Sequence, residues 1–168
     1  MSLLGDEIIE LIKDRAVTKA IATVDENGDP YVVISPFLQL GENGQLVHLE
    51  LLEKSVTNRN LLRSLWYERR ISVTLNSHDG QSFVIRGRPV KAHICGPLFR
   101  SYYQQVRSAI VDADLSTVWV IEPDEVIDDT YATRKKQEEE HFPFSVHLDR
   151  LTVAYGTTEI NIGKESTW

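Results

Sequence analysis

Residues 28–62, GDPYVVISPFLQLGENGQLVHLELLEKSVTNRNLL, admit few folds, because two extended segments flank an Asn-Gly pair and a helix follows at once. Tyr31, Val32, Val33 and Ile34 are the aromatic and β-branched types that suit a pleated surface. Asn43-Gly44 supplies the positive φ angles that a tight hairpin needs. The pattern predicts one strand to about residue 40 and a second from 45 to about 51. The loop Lys54-Ser55-Val56-Thr57-Asn58-Arg59-Asn60 then opens a helix carrying Leu61, Leu62 and Leu65, with Ser55 or Thr57 as its cap. Free backbone N–H groups and the positive end of the helix dipole make such a start attractive to an anion, and a phosphate is the natural guest.

The rest of the chain continues in the same style. Leu4, Ile8, Leu11 and Ile12 stand at helical spacing among charges, which predicts an amphipathic opening helix. Residues 17–24 (VTKAIATV) read as a strand ended by the turn formers at 25–30. A further strand is expected at 69–76, a turn at 76–80, and a long strand at 81–94. Gly87 and Pro89 interrupt that long strand and predict a bulge. Gly96-Pro97 starts a helix with an apolar stripe of Leu98, Tyr102, Val106 and Ile110. Residues 115–121 (LSTVWVI) are expected to form the sixth strand, ended by Pro123.

Residues 134–141 (RKKQEEEH) predict a solvated helix ended before Pro143, with pairs Arg134–Glu138, Lys135–Glu139 and Lys136–Glu140. Residues 151–168 alternate loosely, as a late strand or a tail. Six strands with short connections and few helices define a mainly β, α+β chain: a small antiparallel barrel with flanking helices. No linker or break in composition divides residues 1–168, so one domain is expected, with its barrel core at about 17–121 and a C-terminal helix and tail at 122–168.

Charge and composition exclude several classes. A net charge of −7 argues against a nucleic-acid partner. No apolar run approaches the roughly 18 residues of a membrane span, and the first residues lack the pattern of a signal peptide. A single cysteine, Cys95, fits a reducing cytoplasm. The histidines His48, His78, His93, His141 and His147 stand in no metal-binding motif, so no metal is expected.

The order ATVDENGDPYVVISPF, NGQLVHLE, EKSVTNRNLLRSLWYERRISVTLN and RGRPV resembles the FMN-binding split-barrel family, whose members include proteins like pyridoxamine 5′-phosphate oxidase. The likeness spans roughly residues 17–121. It implies a six-stranded split barrel, a homodimer with FMN in clefts at the interface, and a flavin-dependent oxidation or reduction of a small molecule. By position it implies that Lys54, Ser55, Thr57, Asn58, Arg59 and Asn60 hold the FMN phosphate and ribityl chain. His48, Leu49 and Glu50 would line the flavin ring, with Ser35 and Pro36 beside them and Gln81 and Ser82 as nearby polar groups. Many relatives carry an Arg-Lys pair where this chain has Val56 and Thr57, and the strand-two cations of the oxidases are absent from residues 33–38. The haem-utilisation relatives, whose loop also ends in Asn-Leu, are closer in style.

Each residue also has a plainer reading. Ser55 and Thr57 are helix-capping types, and Arg59 has Glu53 and Glu68 near it in sequence. His48 suits a half-buried strand position, Glu50 could end a strand, and Arg86 and Arg88 could form ion pairs. No residue pattern identifies a catalytic group. The same fold would equally serve a non-catalytic carrier of flavin or haem.

Overall fold

The β-branched runs form strands whose register makes the sheet close on itself. The computed structural model describes residues 3–142. In chain order the elements are α1 Asp6–Lys13, β1 Thr18–Val24, β2 Pro30–Ile34, β3 Leu38–Leu40, β4 Leu46–Glu50, α2 Val56–Trp66, β5 Ile71–Asn76, β6 Ser82–His93, α3 Gly96–Ala109, β7 Thr117–Asp128 and α4 Tyr131–His141. The segment 151–168, His147 and Pro143 lie outside the described residues. The chain divides into two compact units, residues 1–134 and 135–168. In the second, the described residues continue α4 with every side chain exposed, and Lys136 Nζ lies 3.9 Å from Glu140 Oε1.

In the first unit seven strands form one antiparallel sheet in the order β2-β1-β5-β6-β7-β4-β3. The strand expected to run to about residue 40 is two strands, because Pro36 has no N–H with which to continue a ladder. Around it the chain changes partners. Ser35 N–H donates to Lys19 O of β1 at 2.8 Å, whereas Phe37 O accepts from Leu49 N–H of β4 at 3.4 Å. The two ends of the sheet order are thus consecutive in the chain, three residues apart. Counted by hydrogen bonding there are seven strands; counted by chain path, β2 and β3 are one broken strand of a six-stranded split barrel. At the β3–β4 turn Asn43 (φ 54°) and Gly44 (φ 77°) take the positive angles expected of them.

Pro123 does not end the last strand. It lies opposite Gly87, where the register shifts, so its missing N–H falls at a bulge and β7 runs on to Asp128. A Cβ at Gly87 would strike Glu122 O and come within 2.9 Å of Pro123 Cα. Only glycine allows the two backbones this close.

Two apolar layers fix the position of β4. Inside the barrel, Ile21, Val73, Leu75, Ile85 and Ile121 meet Leu46, with Ile8 and Ile12 of α1 packed against them. Outside, α3 lays Val106, Phe99, Tyr102 and Tyr103 over Val47, Leu49 and Val118. This differs from the expected stripe at one end: Ile110 lies just beyond α3 in extended backbone (φ −136°, ψ 110°) and is exposed. With both faces covered, all of β4 is buried, and residues 46, 48 and 50 point to the interior while 47 and 49 point to α3.

Candidate functional site

That alternation sends two polar residues, His48 and Glu50, to the inner face of β4. The 35–37 crossover brings Ser35 to them, and Ser35 Oγ lies 2.7 Å from His48 Nδ1. On the other side of the ring, His48 Nε2 is 3.5 Å from Glu50 Oε2. That separation is long for a hydrogen bond, and among the described residues the buried Nε2 has no hydrogen-bond partner. Ser35, His48 and Glu50 are 2%, 5% and 8% exposed, so the group is closed to bulk water.

Glu50 is nevertheless an anion. Burial pushes its carboxyl up, but interactions with His48, the Leu52 N–H and the Ser55 hydroxyl outweigh burial and hold it below the usual carboxylate range. The Leu52 N–H donates to Glu50 Oε1 at 3.0 Å. An ionised carboxylate beside Nε2 favours the proton on that nitrogen, which leaves Nδ1 to accept from the Ser35 hydroxyl.

The loop that follows supplies the start of α2. Ser55 is its N-cap: the backbone is extended, and Oγ accepts from Asn58 N–H at 2.9 Å. Asn58 donates from Nδ2 to Glu53 O at 2.8 Å and accepts from Trp119 Nε1 at 2.8 Å. Thr57 and Asn60 face inward and are buried, and Asn60 Nδ2 donates to Thr23 Oγ1 at 3.0 Å. The hydroxyls and amides of the loop therefore hold the helix against β1 and β7. Lys54 and Arg59 remain: both are exposed, and neither forms an ion pair among the described residues, with Glu53 and Glu68 included. These two cations, with the first-turn N–H groups of Val56 and Thr57, suit a phosphate at the solvent-facing mouth of the loop.

The other expected residues lie elsewhere. Pro36 is exposed beside Ser35, and Leu49 packs under α3, on the face of β4 opposite His48 and Glu50. Gln81 Nε2 donates to Glu7 Oε1 of α1 at 2.9 Å, and Ser82 N–H to Thr130 Oγ1 at 3.1 Å. Both sit at the start of β6, whereas His48 is level with Trp119 and Ala92 near its far end. One chain does not bring Gln81 and Ser82 to His48. Arg86 pairs with Glu125 at 3.1 Å, and Arg88 lies 3.9 Å from Asp124.

A cavity of about 570 Å³ beside α2 was not legible in the sequence. Asn58, Leu62, Ile94, Leu115 and Trp119 line it, from segments that only the sheet brings together. Its size is within the range of small-molecule sites. Among the described residues no three His, Cys, Asp or Glu side chains gather where a metal could sit, and no helix is long and apolar enough to cross a membrane.

Neither a protein-family model nor a curated protein sequence matches the chain. Solved structures do. HupZ of Group A Streptococcus superposes with a TM-score of 0.63 at 14% identity, covering 77% of this chain and 96% of HupZ. A candidate pyridoxamine 5′-phosphate oxidase from Lactobacillus delbrueckii matches with a TM-score of 0.53 at 20% identity, over 74% of this chain and 93% of its own. An FMN-binding protein from Syntrophomonas wolfei matches with a TM-score of 0.53 at 12% identity, over 72% and 87%. The chain has the split-barrel fold of the FMN-binding and pyridoxamine-phosphate-oxidase-like proteins.

Proposed function

We propose that this protein binds a flavin, FMN, as a homodimer in the cytoplasm and acts as a flavin-dependent oxidoreductase on a small molecule. The observation that carries this reading is the pair of unpaired cations, Lys54 and Arg59, at the start of α2 in a split barrel. In this reading they and the Val56 and Thr57 N–H groups hold the phosphate, and Ser55 shapes the loop by capping the helix. Ser35, Pro36, His48 and Glu50 flank the ring. Gln81 and Ser82 enter the site only from a second copy. When bound, the flavin supplies the hydride or electron transfer, and the protein binds and orients it.

Support for a carrier rather than an enzyme comes from the same group: its acid–base side chains, His48 and Glu50, are closed off from bulk water and already engaged with each other and with Ser35. An absorption spectrum of the purified protein tests the flavin reading. A flavin band, or its appearance on adding FMN, is expected, and Lys54→Ala/Arg59→Ala should weaken FMN binding by about tenfold, the scale of two lost solvent-exposed charge contacts at ~0.7 kcal/mol each. A colourless protein that takes up no flavin overturns the reading. Reduction of the bound flavin by NADH or NADPH with turnover on an acceptor separates enzyme from carrier.

A further inference from the structure

Beside α2 the sheet leaves a cavity that the flavin reading does not use. It opens between α2, the end of β6 and residues 114–117 leading into β7, with a volume of about 570 Å³. None of Ser35, His48, Glu50, Lys54, Ser55 and Arg59 lines it. Its wall is mainly apolar, with Leu51, Leu62, Ile94, Leu115 and Trp119. Leu62 and Ile94 are 48% and 69% exposed, so apolar surface there meets water that a ligand would displace. The other polar atoms of the wall are already engaged with one another. Trp119 Nε1 donates to Asn58 Oδ1 and Asn58 Nδ2 to Glu53 O, both at 2.8 Å. Ser116 Oγ and Thr117 Oγ1 lie 3.2 Å apart and share a hydrogen bond.

What remains to meet a ligand is negative charge. Glu53 and Asp114 line the cavity, and no Lys, Arg or His does. The Glu53 side chain is exposed and forms no ion pair among the described residues. Asp114 is loosely held: its Oδ1 is 3.4 Å from Arg107 Nη1 and 3.4 Å from the Tyr103 hydroxyl, and neither residue lines the cavity. Ionised carboxylates accept hydrogen bonds and cannot donate them. They attract an ammonium and repel a carboxylate or phosphate. A largely apolar wall of this size with a few polar groups is the usual form of a small-molecule site.

We infer that this cavity is a second ligand site, separate from the phosphate mouth of the flavin reading, and that it takes a small organic cation. The apolar body of the ligand lies against Leu62, Ile94, Leu115 and Trp119, and its protonated amine meets Glu53 and Asp114. The site does not depend on whether a flavin binds.

Calorimetric titrations with naphthylmethylamine, naphthylmethanol and naphthoate, all substituted at the same ring position, test this by varying charge on one ring system. The ammonium should bind at least about tenfold tighter than the carboxylate, the scale of two exposed charge contacts. Salt at roughly 0.5 M should narrow that ratio. Ile94→Trp, at an exposed position, fills the cavity and should weaken the ammonium by about tenfold or more. Glu53→Gln keeps the shape and removes a charge; it should lower the ammonium-to-carboxylate ratio about threefold and leave the alcohol unchanged. A carboxylate bound as tightly as the ammonium, no ammonium binding up to roughly 1 mM, or unchanged binding by the Ile94→Trp protein overturns the inference. Displacement of the ammonium by FMN overturns it too, since the cavity would then belong to the flavin seat. So does loss of ammonium binding on dimerisation, which would put a second copy over the cavity. A protein that takes the ammonium and no flavin overturns the flavin reading alone. Glu53→Gln decides the charge requirement even if Ile94→Trp fails to fold.

Discussion

Asn60 shows how a polar residue in a promising loop can be structural. By residue type it fits a phosphate contact, yet its Nδ2 donates to Thr23 Oγ1 within the barrel wall, and only 4% of the residue is exposed. Helical periodicity carried the signal: Thr57, Asn60, Leu61 and Ser64 share one face of α2, and all four are buried. Arg59 falls off that face and Lys54 precedes the helix, and neither forms an ion pair among the described residues. Asn60→Ala should lower stability by about 1–3 kcal/mol, because Thr23 loses its donor in a buried setting. Urea denaturation measures this; a loss below about 0.5 kcal/mol would place the interaction in the range of ordinary surface changes. The position of Glu50 was less legible. Its place at the end of the strand after the Asn-Gly turn could be read, but its ionisation depends on Leu52, Ser55 and His48 converging around one carboxylate.

At the level of elements, local chemistry predicted the bulge in the long strand, and the structure shows why Gly87 is needed there. Gly87→Ala would force a methyl group against the Glu122 and Pro123 backbone, which has no flexible end to yield. The expected outcome is a destabilisation of about 1–3 kcal/mol, typical of overpacking at a rigid site. It is read as a drop in melting temperature with the spectrum of the folded state retained. An unchanged melting temperature would show that β6 and β7 can separate locally. The break at Pro36 was also written in the chain, since a proline away from a bulge interrupts a ladder, although the sequence reading ran one strand through it. What the break achieves was not, because it depends on Ser35 meeting β1 while Phe37 meets β4. The end of β7 was misjudged for a related reason: Pro123 stops a regular strand, but opposite a bulge it costs no ladder hydrogen bond.

For the whole molecule, the proposed homodimer has a candidate surface in residues the fold leaves uncovered. Trp66 is 76% exposed, Val32 62% and Ile34 60%, and Leu62 of α2 is also exposed. These apolar side chains lie on α2 and β2, which pack beside each other. Large exposed apolar groups clustered in this way mark association surfaces. Trp66→Glu should convert a dimer to a monomer in light scattering and weaken flavin binding with it, if Gln81 and Ser82 reach the site from a second copy. A Trp66→Glu protein that remains dimeric would place the interface elsewhere. Taken alone, the sequence determined what depends on neighbours a few residues apart: the strand periods, the Asn43-Gly44 turn, the bulge at Gly87 and the capped start of α2. Tertiary structure decided what depends on distant segments meeting, namely the closure through Ser35 and Phe37, the seating of Glu50 as an internal anion, and which loop residues stayed free. The physical reason is that turn and cap energies are local, whereas burial and the pairing of buried charge are set by whatever the fold packs beside them.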